Sequence, residues 1–249
     1  MPSDDQVDIW ATAFERWPDG LRRWIEPLDE VPLTQNDLMA IGQYTPGFLA
    51  YFDIDPSERF EIEDETYELI DTQMGGSQLD RFFVRLGMCS FKTEGPMTPV
   101  ASSNDLMRQI LRPNPRLARV LILMVEEHQT ATLFFRPWLP LLPWGNFRII
   151  VLDGRLAGVS QSDIQHVYPE IAQNEAAVRQ AIESILQEIW RDLHLSSVVL
   201  EVGLLQTEKG LEARLIELNP AIHRTDIGLF DWEDARSFDG SFRFHPSCN

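Results

Sequence analysis

The C-terminal half of the chain contains two pairs of apolar, β-branched segments, and a short turn joins the members of each pair. The first pair reads NFRIIVLDGRLAGVSQ, in which Asp153-Gly154 is a favoured two-residue hairpin turn. The second reads SSVVLEVGLLQTEKGLEARLIELNP, in which a loop with Gly210 joins two strands. Pro220 ends the last strand, because proline cannot continue a central ladder. No GxGxxG sequence follows a predicted strand, which argues against a doubly wound Rossmann domain.

Three helices are predicted in the rest of the chain. An amphipathic helix broken near Pro18 and Gly20 is predicted at the N-terminus, with apolar side chains at Trp10, Phe14, Trp17 and Leu21. A short helix capped by Ser103 or Asn104 should end before Pro113. The longest periodic pattern, over residues 176–193, predicts the strongest helix.

Three further strands are predicted. One covers residues 82–86, and two buried strands are expected on either side of a polar turn at residues 126–130. Hairpins that alternate with few long helices favour an α+β fold with mixed or antiparallel sheets.

The formal net charge of −18 restricts the ligands that the chain can bind. It repels polyphosphate and anionic lipid at long range, which disfavours nucleic acid and membrane surfaces as partners, so a polyanionic ligand needs a local basic pocket. Lys92 and Lys209 are the only lysines, and the other basic residues are arginines, which suit bidentate contact with phosphate. The acidic segment at residues 53–71 is typical of a solvated face, and as a binding surface it would suit only a basic protein partner.

Cysteine content and apolar runs bear on the cellular compartment. Two cysteines, Cys89 and Cys248, cannot form a disulfide framework, so a reducing, cytoplasmic compartment is expected. The first ten residues lack the pattern of a secretory signal, and the longest apolar runs, such as VLILMV, are too short to cross a bilayer.

Oxygen-bearing side chains at the second hairpin predict a metal site. Glu217 and Asn219 lie two residues apart in a strand and therefore share one face. If residues 206–210 close the hairpin, Leu215 faces Glu201 and Glu217 is the diagonal neighbour of Glu201 on that face. Two close carboxylates favour a divalent cation such as magnesium, or a basic partner, between them. An acidic edge strand followed by an Asn-Pro turn remains an alternative reading of the same residues.

Three arginines flanked by apolar residues occur in predicted strands: Arg85, Arg136 and Arg148. An unpaired guanidinium is costly to bury, so each of them needs an anionic partner. Internal carboxylates could serve. A triphosphate bridged by magnesium would account for the three arginines, Lys92 and the acidic cluster with one assumption.

The order of five segments resembles the cell-division-cycle protein 123 family, a divergent branch of the ATP-grasp superfamily. The segments are FVRLGMCSFKTEG, FFRPW, NFRIIVLDGRLAGVSQ, VVLEVGLL and IELNPAIHRTDIGLFDWED, and the likeness runs from about Val31 to Phe244. The resemblance implies an α+β, ATP-grasp-like fold, in which two small lobes enclose a nucleotide cleft. It also implies a single unit over residues 1–249, made of an N-terminal segment to about residue 75, an N-lobe and hinge over 76–140, and a C-lobe with the metal site over 141–249.

The resemblance implies a role for each matching position. Those assigned to nucleotide are Arg85 at the phosphates, Ser90 and Lys92 in the loop over them, Arg136 and Trp138 along the adenine pocket, and Arg148 near the terminal phosphates. Glu201, Glu217 and Asn219 match the metal ligands, where the family more often has aspartate. Two positions depart from the family pattern, since Asn146 replaces a glutamate and Ser162 replaces an arginine. The loss of these two charges bears on which second ligand the pocket recognises.

Two functions follow from the resemblance. In the first, the chain binds Mg-ATP and assists assembly of a protein complex, as eukaryotic relatives do for translation initiation factor 2. In the second, it is a carboxylate-amine ligase, with Arg148 and Lys92 stabilising charge on the transferred phosphoryl group. A scaffold that retains the fold without nucleotide is a third possibility.

Overall fold

The computed structural model describes residues 8–25, 29–77, 79–92 and 98–245. The chain divides into two compact units, one formed by Met1–Ile25 with Leu139–Asn249 and the other by Glu26–Trp138. The predicted division of one unit into segments ending at about residue 75, spanning 76–140 and spanning 141–249 stays a prediction.

The unit Glu26–Trp138 contains a three-stranded antiparallel sheet with several helices. The strands are β1 (Asp29–Leu33), β2 (Phe82–Leu86) and β3 (Ala131–Pro137), in the spatial order β1-β3-β2. The helices are α2 (Gln35–Gly42), α3 (Pro46–Tyr51), α4 (Asp64–Gly76), α5 (Ser103–Ile110) and α6 (Pro115–Glu126). The predicted strand at residues 82–86 is confirmed. The helix predicted after it is also confirmed, but its N-cap is Ser102, whose hydroxyl accepts from the Asp105 amide.

Helix α6 corrects the prediction of a buried strand before residue 126. Over a short window its apolar run fits both the helical and the strand period, and the flanking residues decide which element forms. Asn114 caps the helix by accepting a hydrogen bond from the Leu117 amide at 3.0 Å, and Pro115 occupies the first turn, where its missing N–H costs nothing. The buried side chains then recur at helical spacing, at Leu117, Ala118, Leu121 and Met124.

The other unit contains a five-stranded mixed sheet. Its strands are β4 (Asn146–Leu152), β5 (Arg155–Gln161), β6 (Val198–Thr207), β7 (Gly210–Pro220) and β8 (Phe242–Arg243), in the spatial order β7-β6-β4-β5-β8. All neighbours pair antiparallel except β5 and β8. The helices of this unit are α1 (Asp19–Arg22), α7 (Pro169–Gln173) and α8 (Glu175–Ile189).

Both predicted hairpins are confirmed, and so is the strongest helix. Asp153 and Gly154 have φ values of 49° and 72°, as the tight turn between β4 and β5 requires. Helix α8 packs its apolar face on β6 and β7. The α+β fold class with mixed and antiparallel sheets is confirmed.

The prediction of an amphipathic helix at the N-terminus is wrong, although its four apolar side chains do lie in the core. Trp10, Phe14, Trp17 and Leu21 are buried. The backbone forms two short 3-10 turns (Ile9–Thr12 and Phe14–Arg16) before α1, because Ala13 and Trp17 are extended. No helix in the described part of the chain combines the length and the apolar character needed to cross a bilayer.

Candidate functional site

The hairpin of β6 and β7 places Glu201 directly opposite Glu217. The hairpin closes at the pair Thr207 and Gly210, and a regular ladder from this end would place Ile216 opposite Glu201. A β-bulge shifts the register after the pair of Val202 and Leu215, and Glu217 therefore takes the position opposite Glu201. The predicted register, in which Leu215 faces Glu201, is wrong. The predicted sharing of one sheet face by the two carboxylates is correct, because directly paired residues project to the same side.

The same cross-strand row continues over four strands. Ser160 on β5 pairs with Arg148 on β4, Arg148 pairs with Glu201 on β6, and Glu201 pairs with Glu217 on β7. Asn219 lies two residues beyond Glu217, so it projects from the same face. Its amide group donates a hydrogen bond to Oε1 of Glu217 at 3.2 Å.

Arg148 lies between two carboxylates. Its Nη2 is 3.8 Å from Oε2 of Glu201 and 3.3 Å from Oδ2 of Asp226, and its Nη1 donates to the backbone carbonyl of Asp226. The Arg148 side chain is 16% exposed. Its Nε atom is buried and has no hydrogen-bond partner among the described residues. The row therefore combines a partly satisfied guanidinium with two facing carboxylates.

The donor set of this row fits a hard divalent cation. Glu217 is 7% exposed, and burying a second carboxylate directly opposite the first is unfavourable unless positive charge is near. Carboxylate and amide oxygens are the ligands that magnesium takes in proteins. Within the described ranges, no group of three or more His, Cys, Asp or Glu side chains is arranged to hold a metal ion. The predicted set contains two carboxylates and one amide, so its role as a metal site stays a prediction.

A turn after β7 covers part of this sheet face. Ile227 and Phe230 pack on Ile150 and Val199, which form the next row of the same face. The hydroxyl of Ser160 accepts a hydrogen bond from the Leu229 amide at 2.8 Å. Neither Ser160 nor Asp226 is among the site residues predicted from the sequence. The Asp-x-Gly pattern at residues 226–228 predicts a turn, but no sequence signal connects this turn to Arg148.

Arg85 and Arg136 lie on one face of the other sheet. Arg85 pairs with Phe134 and Phe83 pairs with Arg136, so the two arginines are diagonal neighbours. Arg85 is 1% exposed, and its guanidinium donates to the carbonyl oxygens of Leu86 at 2.9 Å and Gly87 at 3.3 Å. The structure therefore holds this buried charge partly with the carbonyls of the following turn.

Ser90, Lys92 and Trp138 lie near the ends of this sheet. Ser90 is buried and forms an isolated β-bridge with Arg85. Lys92 is exposed and directly precedes residues that lie outside the described ranges, and Trp138 is half-buried at the end of the unit, where its amide donates to the Arg81 carbonyl at 3.1 Å. Two groups of predicted site residues are thus brought together, each within its own unit. Their convergence on one triphosphate stays a prediction.

Asp163, in the loop after β5, has a perturbed pKa. Desolvation acts to raise the pKa of this carboxyl, but hydrogen bonds from the Tyr168 hydroxyl, the Gln165 amide and the His166 ring hold it below its usual value. The pKa of Tyr168 is raised by its own desolvation and by its bond to Asp163.

His223, which follows β7, lies with its Nε2 3.7 Å from a carboxylate oxygen of Glu233.

Comparisons with known proteins support the family suggested by the sequence. The D123 family model matches residues 122–243, which include β3 to β8. The translation initiation factor eIF2 assembly protein of Xenopus laevis is 31% identical over 105 residues, which are 42% of this chain and 30% of that protein. The protein of the same name from Sclerotinia sclerotiorum is 26% identical over 200 residues, which are 72% of this chain and 46% of that protein. The matches thus span less than half the length of these curated relatives.

A solved structure shares the fold. Cdc123 from Schizosaccharomyces pombe superposes with a TM-score of 0.72 at 17% sequence identity, and the match covers 98% of each chain. The fold and the matched C-terminal segments agree with the order of motifs in the sequence. Residues 122–243 of this chain therefore match the D123 family, and the chain shares its fold with Cdc123.

Proposed function

We propose that this chain binds Mg-ATP and acts as an ATP-dependent assembly factor for a protein complex. The observation that carries the proposal is the row in which Arg148, Glu201 and Glu217 face one another across β4, β6 and β7. The row lies within residues 122–243, the part of the chain that the D123 model matches.

In this proposal, Glu201, Glu217 and Asn219 hold magnesium, which would supply positive charge between the facing carboxylates and the phosphates of the nucleotide. Arg148 binds a phosphate oxygen. Its buried Nε lacks a hydrogen-bond partner among the described residues, and its planar group presents several donors in the geometry that phosphate accepts. A bound phosphate would accept a hydrogen bond from the one Arg148 donor, Nε, that has no partner among the described residues.

The residues of the unit Glu26–Trp138 complete the proposed nucleotide contacts. Arg85 is buried, and two carbonyls of its own turn help to fix its guanidinium. In the proposal this guanidinium contacts a phosphate. Ser90, Lys92, Arg136 and Trp138 take the remaining contacts in the proposal, and Lys92 has the exposure that a ligand-induced contact requires.

The proposed partner is a protein in the cytoplasm. Relatives with matching segments are named as eIF2 assembly proteins. The segment at residues 53–71 presents exposed carboxylates on and before α4, and these suit a basic surface of a partner. ATP would favour one conformation of the chain and so alter its affinity for that partner.

The experiment measures the melting temperature of the protein with ATP and magnesium, and with ATP and a chelator. Mg-ATP is expected to raise the melting temperature, because a ligand that binds only the native state stabilises it. Glu217→Gln is expected to abolish the shift. Glu208→Gln is the matched control, because it removes an exposed carboxylate from the turn of the same hairpin. A shift that survives Glu217→Gln contradicts the metal site.

A second measurement separates an assembly factor from a ligase. The protein is incubated with ATP and a cell extract, and the formation of ADP and phosphate is followed. Copurification of one stable protein partner without turnover supports the assembly role. Turnover that depends on an acceptor and is stoichiometric with product supports the ligase, in which Arg148 and Lys92 would stabilise the transferred phosphoryl group.

A further inference from the structure

Asp226 contacts Arg148 through both its side chain and its backbone. The carboxylate Oδ2 is 3.3 Å from Nη2 of Arg148, and the carbonyl oxygen accepts from Nη1. Asp226 follows β7 and lies 78 residues from Arg148 in the chain. The contact therefore depends on the path of the turn, and not on any local pairing.

The turn that carries Asp226 is fixed to the sheet. Oδ1 of Asp226 accepts a hydrogen bond from the Gly228 amide at 2.9 Å, and the Leu229 amide donates to Ser160. Gly228 has a φ of 67°, and a Cβ atom at this position would overlap the Ser160 hydroxyl. The turn thus lies directly on β5, in the row that contains Arg148, and the position of Asp226 is set by these contacts although its side chain is 58% exposed.

The two carboxylates beside Arg148 differ in their surroundings. Glu201 faces Glu217 across the ladder and belongs to the proposed metal set. Asp226 lies in the turn after β7, where its Oδ2 is 3.3 Å from Nη2 of Arg148 and its Oδ1 accepts from the Gly228 amide. Its chemistry in this position is that of a counter-ion.

We propose that Asp226 is a displaceable internal anion that determines which ligands the Arg148 site accepts. An anion that reaches the guanidinium must take the place of the Asp226 carboxylate or share the charge with it. A monoanion replaces one negative charge with another and gains little. A polyphosphate also contacts other groups of the site with its additional charges. These contacts can offset the free energy of displacing the Asp226 carboxylate from Arg148. The inference rests on the proposed function, because it takes a phosphoryl group as the ligand of Arg148.

The variant Asp226→Asn tests this inference with little change in structure. Asparagine retains the Oδ1 acceptor for the Gly228 amide, and the backbone carbonyl still accepts from Arg148, so chiefly the charge is removed. Partly exposed ion pairs contribute about 0.2–1 kcal/mol, so we expect inorganic tripolyphosphate to bind about 1.4- to fivefold more tightly. Orthophosphate should gain by a larger factor, which reduces the preference for the polyanion. The measurement is made by calorimetry without divalent cations and at constant ionic strength.

Asp231→Asn is the matched control. Oδ1 of Asp231 accepts from the Glu233 amide at 2.9 Å, so this residue lies in the same segment and forms the same kind of turn. Its carboxylate forms no ion pair with an arginine in the described part of the chain. This variant removes the same charge, and we expect its affinity for tripolyphosphate to remain near that of the unmodified chain.

The outcomes separate the inference from the proposed function. Equal gains in the two variants would reflect net charge alone and would overturn the role of Asp226. Unchanged or weaker binding in Asp226→Asn would overturn it too, and weaker binding would indicate that Asp226 helps to hold the ligand. If neither the unmodified chain nor Asp226→Asn binds tripolyphosphate, the inference is wrong, and the thermal shift with Mg-ATP decides separately whether the proposed function is wrong too.

Discussion

Glu201 and Glu217 are directly paired across β6 and β7, and they are paired because a bulge adds one residue to β7. Side chains alternate between the two faces of a strand, so a regular ladder from the same turn would place Glu217 on the opposite face. The bulge therefore decides whether the chain has two facing carboxylates. Bulges are often found where a strand must redirect a side chain next to a functional site.

Asn219→Asp tests whether this face attracts a divalent cation. The substitution replaces the amide that donates to Glu217 with a third carboxylate. Without magnesium, the free energy of unfolding is expected to fall by about 1–2 kcal/mol, because a hydrogen bond becomes a repulsion. Magnesium is expected to restore it, because carboxylates bind the ion more strongly than an amide does. Urea unfolding in a chelator and in magnesium, at matched ionic strength, measures both effects.

Gln206→Glu is the control for Asn219→Asp, because it adds a carboxylate to the exposed end of the same hairpin. Equal stabilisation of both variants by magnesium would contradict a cation site at Glu201, Glu217 and Asn219.

Gly228→Ala is expected to destabilise the turn that carries Asp226. The residue has a φ of 67°, and an added Cβ would overlap Ser160. Gly154→Ala is the matched comparison, because Gly154 has a φ of 72° and open space around it. Gly154→Ala should cost about 1 kcal/mol for the backbone conformation alone, and Gly228→Ala about 1–3 kcal/mol more. Equal losses in urea unfolding would show that the turn does not rest on Ser160.

Arg85→Lys is expected to lower stability but to keep Mg-ATP binding. Two carbonyl oxygens, those of Leu86 and Gly87, accept from the buried guanidinium, and one ammonium group cannot reproduce its fork. The expected loss in the free energy of unfolding is about 1–2 kcal/mol. Since an ammonium group keeps the positive charge that a phosphate contact needs, the thermal shift with Mg-ATP should remain. Arg85→Met should lose the shift, and retention of the shift in this variant would contradict a phosphate contact.

Asp163 gives a pH-dependent contribution to stability. Its pKa in the folded chain is held below the usual value of 3.8. A carboxyl with a lowered folded pKa stabilises the fold above the unfolded value, and this contribution is lost as the pH falls through the folded pKa. The stability difference between the unmodified chain and Asp163→Asn should therefore be present at neutral pH, begin to decrease near pH 3.8, and be smallest below the folded pKa. Tyr168→Phe removes one donor and should raise the pKa of Asp163 in an NMR titration; an unchanged pKa would contradict the role of this bond.

The sequence by itself determined those elements in which local chemistry permits one conformation. Asp153-Gly154 accepts positive φ, so the β4–β5 hairpin follows from a two-residue signal. The apolar stripe of α8 repeats over 15 residues, long enough to distinguish a helix from a strand. The residue types of the candidate site and the order of the family motifs were likewise readable in the chain.

Only the tertiary structure decided the features that depend on register or on distant contacts. The apolar run of α6 fits both periods, and the packing of this element against α2 and α3 is a contact between distant parts of the chain. The position of Ile216 as an extra residue came from pairing with β6, because the identity of its neighbours does not specify a bulge. The contact of Asp226 with Arg148 joins residues far apart in the chain, and the bond of Leu229 to Ser160 does the same over 69 residues. Such contacts follow from the path of the whole chain, which local preferences do not encode.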